Sequence, residues 1–257
     1  MAKWTPFPHA GEYQYDAAQL KKHWARLHAG DAEPLPKDAQ VLKAWCHFHN
    51  GEFQEAAQAG LAAGGAGVTV ANKATAIYAN YLEKKEKTRL DLFTQVAEQA
   101  QAQAEAEPDN ANAWYWNAYA LGRYSQGISV AKALAQGLGG KIRESLEKAI
   151  ALQPTHADAH IALGAFHAEV IDKVGALIGG MTYGAKKDKG LKLFQEALRL
   201  NPSSAIAMIE YANGLVMLEG DRKMREATAL YEKAAACKPL DAMEQLDVDL
   251  ARAELED

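Results

Sequence analysis

The chain has 257 residues, 49% of them hydrophobic, a formal net charge of −5 and a sequence pI near 5.9. That balance supplies ample material for burial but no large basic field, so neither nucleic acid nor anionic lipid is an expected partner of the surface as a whole. Cys46 and Cys237 are the only thiols and form no CxxC pair, which fits small apolar helix residues in a reducing compartment rather than a zinc or disulfide framework.

The first residues carry no apolar run of signal-peptide length. The longest uncharged apolar stretch, Val174 to Met181, is eight residues, against the roughly 20 of a membrane helix. A cytoplasmic protein without membrane insertion is therefore expected. Asp16 can cap a helix running to Ala29, in which Leu20, His23, Trp24 and Leu27 recur at helical spacing. Gly30 and the segment Glu33-Pro34-Leu35-Pro36 end it, so residues 1–36 read as an N-terminal segment with a capping helix. From Lys37, Val41, Leu42, Trp45, Cys46, Phe48 and His49 mark a helix, and Phe53, Ala56, Ala57 and Leu61 continue it after a turn at Gly51.

The glycine-rich run from Gly60 to Gly67 is expected to be a hinge or degenerate turn. Residues 74–86 and 90–107 form the next helical pair. Two longer helices are then expected, Ala111 to Gln136 and Ala157 to Met181, of 26 and 25 residues, each about 38 Å long at the usual rise. The far end of the second carries Val170, Ile171, Val174, Leu177, Ile178 and Met181 in an amphipathic stripe, and that of the first carries Ile128, Val130, Ala131, Leu134 and Leu138. The two stripes either pack on one another, with Gly175 and Gly179 allowing close approach, or form a wall or pocket; Gly139-Gly140 and Gly179-Gly180 are read as breakers. Residues 241–257, with Met243, Leu246, Leu250 and Ala253, read as a C-terminal capping helix.

Between the caps, residues 37–240 repeat a plan. SLEKAIALQP ending at Pro154 and LFQEALRLNP ending at Pro202 share an apolar residue, an acid, an Ala and a terminal Pro, and weaker copies end at Pro108 and Pro239. Each proline stops a helix because it has no N–H to donate and clashes with the preceding turn. Such a unit cannot bury its apolar face alone and must stack on neighbours.

These residues resemble the tetratricopeptide repeat (TPR), a pair of helices in about 34 residues. Trp114, Ala118 and Leu121 match the early packing places of one unit; His160, Leu163, Gly164 and His167 those of the next; and Met208, Tyr211, Ala212 and Leu215 those of a third. Leu146, Ala149 and Pro154, then Phe194, Ala197 and Pro202, then Tyr231, Ala234 and Pro239 match the later places, and Asn50 to Ala56 resembles the turn between the two helices. Successive prolines lie 46, 48 and 37 residues apart, so two adjacent units are lengthened. The resemblance implies an all-α, right-handed TPR-like solenoid of about five helix pairs, two with extended helices, plus N- and C-terminal capping helices. The lengthened units, with Tyr183-Gly184, Gly190, Phe194, Ala197 and Pro202, also resemble the TRAP-transporter-associated TPR proteins and the regulator of microtubule dynamics family.

No phosphate-loop, dinucleotide, zincin or hydrolase motif occurs, so no enzyme and no cofactor is expected. His156 and His160 form an i, i+4 pair that could grip a metal, but repeat packing is the preferred role for His160 and no metal is expected. The TPR resemblance places ligands on the concave face lined by the first helices. By position that face holds Trp45, Phe48, Tyr78, Tyr81, Arg89, Asn112, Tyr115, Tyr119, Arg123 and Asn213. The Lys and Asn pairs of a chaperone-type carboxylate clamp are missing, and the remaining aromatic surface with scattered charge suits an apolar peptide helix or an elongated small ligand. Some of these aromatics could equally be core. The function expected is a non-catalytic binding or scaffold protein for a protein or peptide partner, with a homo-oligomer left open. The alternative is a small-molecule-binding accessory protein of solute uptake.

Overall fold

The computed structural model describes residues 3–256, and among them all regular structure is helical. The helices follow one another as the pairs of a TPR-like repeat array. None is long and apolar enough to cross a membrane. The chain divides into two compact units: residues 1–28, 33–138 and 240–243 form one, and residues 29–32, 139–239 and 244–257 the other.

The first unit holds α1 (Ala17–Leu27), α2 (Ala39–His49), α3 (Phe53–Ala63), α4 (Gly67–Tyr81), α5 (Glu86–Ala106), α6 (Ala111–Gln126) and the short α7 (Val130–Ala135). Asp16 begins α1 with a capping box: its carboxylate accepts from the N–H groups of Ala18 and Gln19, and the Gln19 side chain accepts from the Asp16 N–H. Leu20, Trp24 and Leu27 are the buried stripe of α1, while His23 faces solvent. Asp38 caps α2 and Asn110 caps α6 through the side-chain oxygen alone, which accepts from N–H groups of the first turn.

Of the run from Gly60 to Gly67, expected to be a hinge or degenerate turn, only Gly64 to Ala66 form a turn, with Gly64 and Gly65 at positive φ. α3 runs through Gly60 to Ala63, and α4 starts at Gly67, seven residues ahead of the expected start. The reason is steric: a Cβ at Gly60 would stand 2.5 Å from the Gly67 carbonyl oxygen, so the glycines let two helices cross backbone to backbone. Residues 3–15 are irregular yet anchored, because the Phe7 ring is buried against Gly51 and meets Phe53 edge-on at 6.2 Å. The far end of the chain contributes as well. His49 Nδ1 donates to Asp241 Oδ2 at 2.6 Å with both groups buried, and the Tyr15 hydroxyl donates to the Leu240 carbonyl at 2.8 Å.

The second unit holds α8 (Leu138–Leu152, from Gly139 on), α9 (Ala157–Val174), α10 (Ala176–Tyr183), α11 (Lys187–Leu200), α12 (Ala205–Glu219), α13 (Met224–Ala235) and α14 (Ala242–Glu256, from Glu244 on). The lengthened helices are interrupted rather than continuous. In this unit the break falls at Gly175, whose φ of +80° a side chain would resist, and the other long helix ends at Gln126 before α7 begins. The glycine pairs read as breakers lie instead inside helices: Gly139 and Gly140 in α8, Gly179 and Gly180 in α10. Gly179 is where α10 folds back on α9, since a Cβ there would come within 2.9 Å of Val170 Cγ1. His156 and His160 are engaged locally. The His156 Nδ1 accepts from the Ala159 N–H as the cap of α9, and the His160 Nδ1 donates to the His156 carbonyl at 2.9 Å.

The core of this unit is built around Phe194, fully buried with Ile161, Ala197, Ala207, Tyr211 and Leu215. Its ring stacks on Tyr211 at 5.4 Å, and Gly164 and Gly214 flank it so closely that a Cβ would lie 3.0 Å and 2.4 Å from ring atoms. Nearby, His167 is fully buried without a hydrogen-bond partner for either ring nitrogen among the described residues. Burial first, and the Lys189 ammonium second, push its pKa down to about 4.

Two outcomes follow. In an open helix Gly→Ala gains up to about 1 kcal/mol, but at Gly214 the new methyl would strike the Phe194 ring, so Gly214→Ala should instead lose about 1–3 kcal/mol by overpacking. Urea unfolding that found the variant as stable as the parent would refute the wedge. His167 titrates near 6.5 when unfolded and near 4 when folded, so the unfolded chain takes up the proton first as pH falls. Stability should be level above about pH 6.5 and decline towards pH 4, and His167→Leu should flatten that decline in melting curves taken across the window.

Candidate partner-binding surface

The first helices α2, α4 and α6 of the first unit, with the start of α5, carry nine of the ten residues expected to line a binding face; Asn213 lies on α12 in the second unit. The structure sorts the nine by what covers them. Trp45 and Phe48 are fully buried. Trp24 of α1 meets Trp45 edge-on at 5.8 Å, His28 meets it at 4.7 Å, and the Lys73 ammonium sits 5.6 Å from the Trp45 ring and 5.1 Å from the Phe48 ring. These two residues are core: α1 packs on Trp45, and a buried lysine lies over both rings.

Tyr78 is also covered from within the chain. Trp4 stacks on its ring at 4.1 Å and 12°, the Thr5 N–H donates to its hydroxyl at 3.3 Å, and that hydroxyl donates to Glu83 at 3.0 Å. Asn112 is buried and donates to Glu33 Oε2 at 2.6 Å, which ties α6 to the segment after α1. Tyr115 is buried as well, beside Trp116 at 4.9 Å. Asn213 is half-buried and its Oδ1 accepts from the Tyr231 hydroxyl at 2.7 Å, a bond within its own repeat.

Tyr81, Arg89, Tyr119 and Arg123 remain half-buried and open to solvent. Three of them are brought together by local packing. Tyr119 lies 6.0 Å from Tyr115 and 5.2 Å from Trp116, so the core aromatics hold its ring. The Arg123 guanidinium lies over that ring at 5.3 Å and donates to Gln126 at 3.2 Å. Leu90 is pressed against Gly127, where a Cβ would stand 2.6 Å from Leu90 Cδ2, so the start of α5 with Arg89 adjoins the end of α6 with Arg123. Tyr81 ends α4 just before α5. The result is a rim of Arg89, Tyr119 and Arg123, with Tyr81 at the α4–α5 connection and Lys132 of α7 adding a cation 5.8 Å from the Tyr124 ring. Chemically it can stack on flat or aromatic groups and donate to carbonyl or carboxylate oxygens.

Sequence reasoning missed the polar content of α4. Thr69, Asn72, Lys73 and Thr75 are all buried in a helix whose neighbours are apolar. Gln103 of α5 donates to the Thr69 hydroxyl at 3.0 Å, and Asn117 of α6 donates to the Ala97 carbonyl at 2.9 Å. Asn72, Trp45 Nε1 and Trp116 Nε1 have no hydrogen-bond partner among the described residues. The only signal in the sequence was Asn-Lys inside an otherwise apolar helical run.

Comparison with known proteins places these features. A thermophilic TPR protein of Thermus thermophilus superposes with a TM-score of 0.57 at 16% identity, over 83% of this chain and 97% of that one, and so shares its fold. No curated protein matches. The family model described as regulator of microtubule dynamics protein 1-3 matches residues 68–248, which run from the start of α4 well into α14. The chain belongs to the regulator of microtubule dynamics protein 1-3 family.

Proposed function

We propose that the chain is a non-catalytic interaction scaffold that holds a peptide or helix of a protein partner on the rim formed by Tyr81, Arg89, Tyr119 and Arg123. The observation that carries this reading is the placement of Arg123 over Tyr119, itself braced by the buried Tyr115 and Trp116. A rigid aromatic with a cation across its face offers a large contact area at low entropic cost, the usual make-up of an interface anchor. The TPR-like fold supports a protein partner in general terms. The family's name adds microtubules to the candidates worth offering in a binding panel.

A second reading, a small-molecule accessory protein, draws on the buried polar atoms of Asn72, Trp45 and Trp116. Groups of this kind cost free energy when unbonded, and a compact polar ligand is one way to bond them. Native mass spectrometry of the purified chain separates the readings, because a stoichiometric adduct released on denaturation would favour the small molecule.

For the rim, the informative variant is Tyr119→Ala with Arg123→Ala, since Tyr115 is core and its loss would confound binding with unfolding. Capture of protein partners by the immobilised chain should fall about tenfold or more, as for loss of an interface anchor, while the melting temperature stays within a few degrees. Undiminished capture by a folded double variant would rule the rim out.

A further inference from the structure

α10 presents an apolar face that nothing in its own unit covers. Gly179 and Tyr183 lie on its inner side: Gly179 against Val170, and Tyr183 against Gly139 of α8, with the Arg143 Nη1 donating to the Tyr183 carbonyl at 2.9 Å. Leu177, Ile178 and Met181 follow at i, i+1 and i+4, which puts them on the opposite side, and they are 77%, 57% and 82% exposed. The helix is well fixed beneath them. Gly175 precedes it and the left-handed Gly184 follows it, and the Ala185 N–H returns to the Gly179 carbonyl at 3.1 Å. Three large side chains held outward on a pinned single helix are an apolar wedge rather than a stray exposed residue.

In the sequence flanking the wedge, lysines outnumber acidic residues. Residues 170–192 contain five lysines, Lys173, Lys186, Lys187, Lys189 and Lys192, against Asp172 and Asp188, within a chain of net charge −5. Lys186 and Lys192 are exposed with no acidic partner among the described residues. The other three reach Glu169, Glu219 and Glu147 at 3.3, 2.7 and 2.9 Å in surface pairs that are easily exchanged. The Arg143 guanidinium lies at the end of α10 as well, 3.8 Å from the same Glu147 that Lys189 reaches. A second copy of the chain is the poorer occupant, because three side chains fall well short of the roughly 800 Å² per partner of a stable protein interface.

We propose that α10 docks the protein on an anionic membrane surface, inserting Leu177, Ile178 and Met181 among the acyl chains while the flanking lysines meet lipid phosphates. An interfacial wedge of this kind needs no complementary pocket. Its strength follows the apolar area inserted plus attraction to anionic lipid, which falls off within a Debye length. The whole-chain charge, which argues against lipid, conceals this local excess; with three of the lysines sharing surface pairs with Glu169, Glu219 and Glu147, Lys186 and Lys192 are the cations left for lipid phosphate.

The test is co-sedimentation of the full chain with vesicles of phosphatidylcholine alone and of phosphatidylcholine with phosphatidylserine. Binding is expected to the anionic vesicles only, and to weaken as salt is raised. Leu177→Asp with Met181→Asp should reduce the bound fraction about tenfold or more, because two inserted side chains are lost and two anions added. The variant's melting curve should be unchanged, since both positions face solvent. Lys186→Glu with Lys192→Glu should weaken binding without touching the apolar residues. Equal binding by the folded double-Asp variant overturns the proposal. So does failure of the parent chain to bind anionic vesicles, or a doubled mass in light scattering that the double-Asp variant abolishes, which would assign the wedge to a second copy.

Discussion

The close approach of helices at Phe194 is the constraint on which the second unit depends. A fully buried ring stacked on Tyr211 and held between Gly164 and Gly214 leaves α9, α11 and α12 one separation at which all three can meet. Two glycines inside helices cost up to about 1 kcal/mol each in propensity. Burying a phenylalanine side chain contributes about 1.5–3 kcal/mol, and the neighbours drawn in by the close approach add their own burial. Interiors packed to this density transmit displacement rather than absorb it. His167 is one consequence: a Cβ at Gly190 would stand 3.2 Å from the His167 Cβ, and the imidazole is left buried without a hydrogen-bond partner among the described residues.

Much of this was legible from residue spacing. The proline-terminated phrases located the second helices of the repeats, and Phe194, Ala197, Leu146, Ala149 and Ala234 are buried where the pattern puts them. The register of α6 was less so. Trp114 matches an early packing place, yet it is half-buried and donates to the Pro108 carbonyl, while Tyr115 and Trp116 fill the interior. Three consecutive aromatics leave the helical phase undetermined, because any of them could face inward. The glycines misled for a related reason. A pair reads as a stronger breaker than a single residue, but Gly179 and Gly180 serve packing inside α10, whereas the lone Gly175 takes the positive φ that ends a helix. Whether a glycine supplies conformation or space depends on its neighbours in three dimensions, which no local pattern contains.

The expected binding face was the least legible part, because its state is decided by distant segments. Trp4 covers Tyr78 across 74 positions of sequence, Glu33 engages Asn112 across 79, and α1 covers Trp45. Period and spacing identify the helix face on which a residue sits. They do not reveal that another part of the chain has already taken that face. The open alternative that some inner aromatics are core applies to Trp45, Phe48, Tyr78 and Tyr115, all of them buried.

Lys73 explains why such an enclosed face can still be polar. Its ammonium, 2% exposed with the rest of the residue, lies over both the Trp45 and Phe48 rings, so the negative faces of two aromatics replace part of its lost hydration. Replacing that cation with an apolar residue would fill the same space but would remove the charge that lies over both rings. The inner face of the first helices is thereby committed to cohesion within the unit. Near the α4–α5 and α6–α7 connections, Tyr81, Arg89, Tyr119 and Arg123 stay partly in solvent. The proposed binding rim lies among these partly exposed groups rather than on the enclosed inner face.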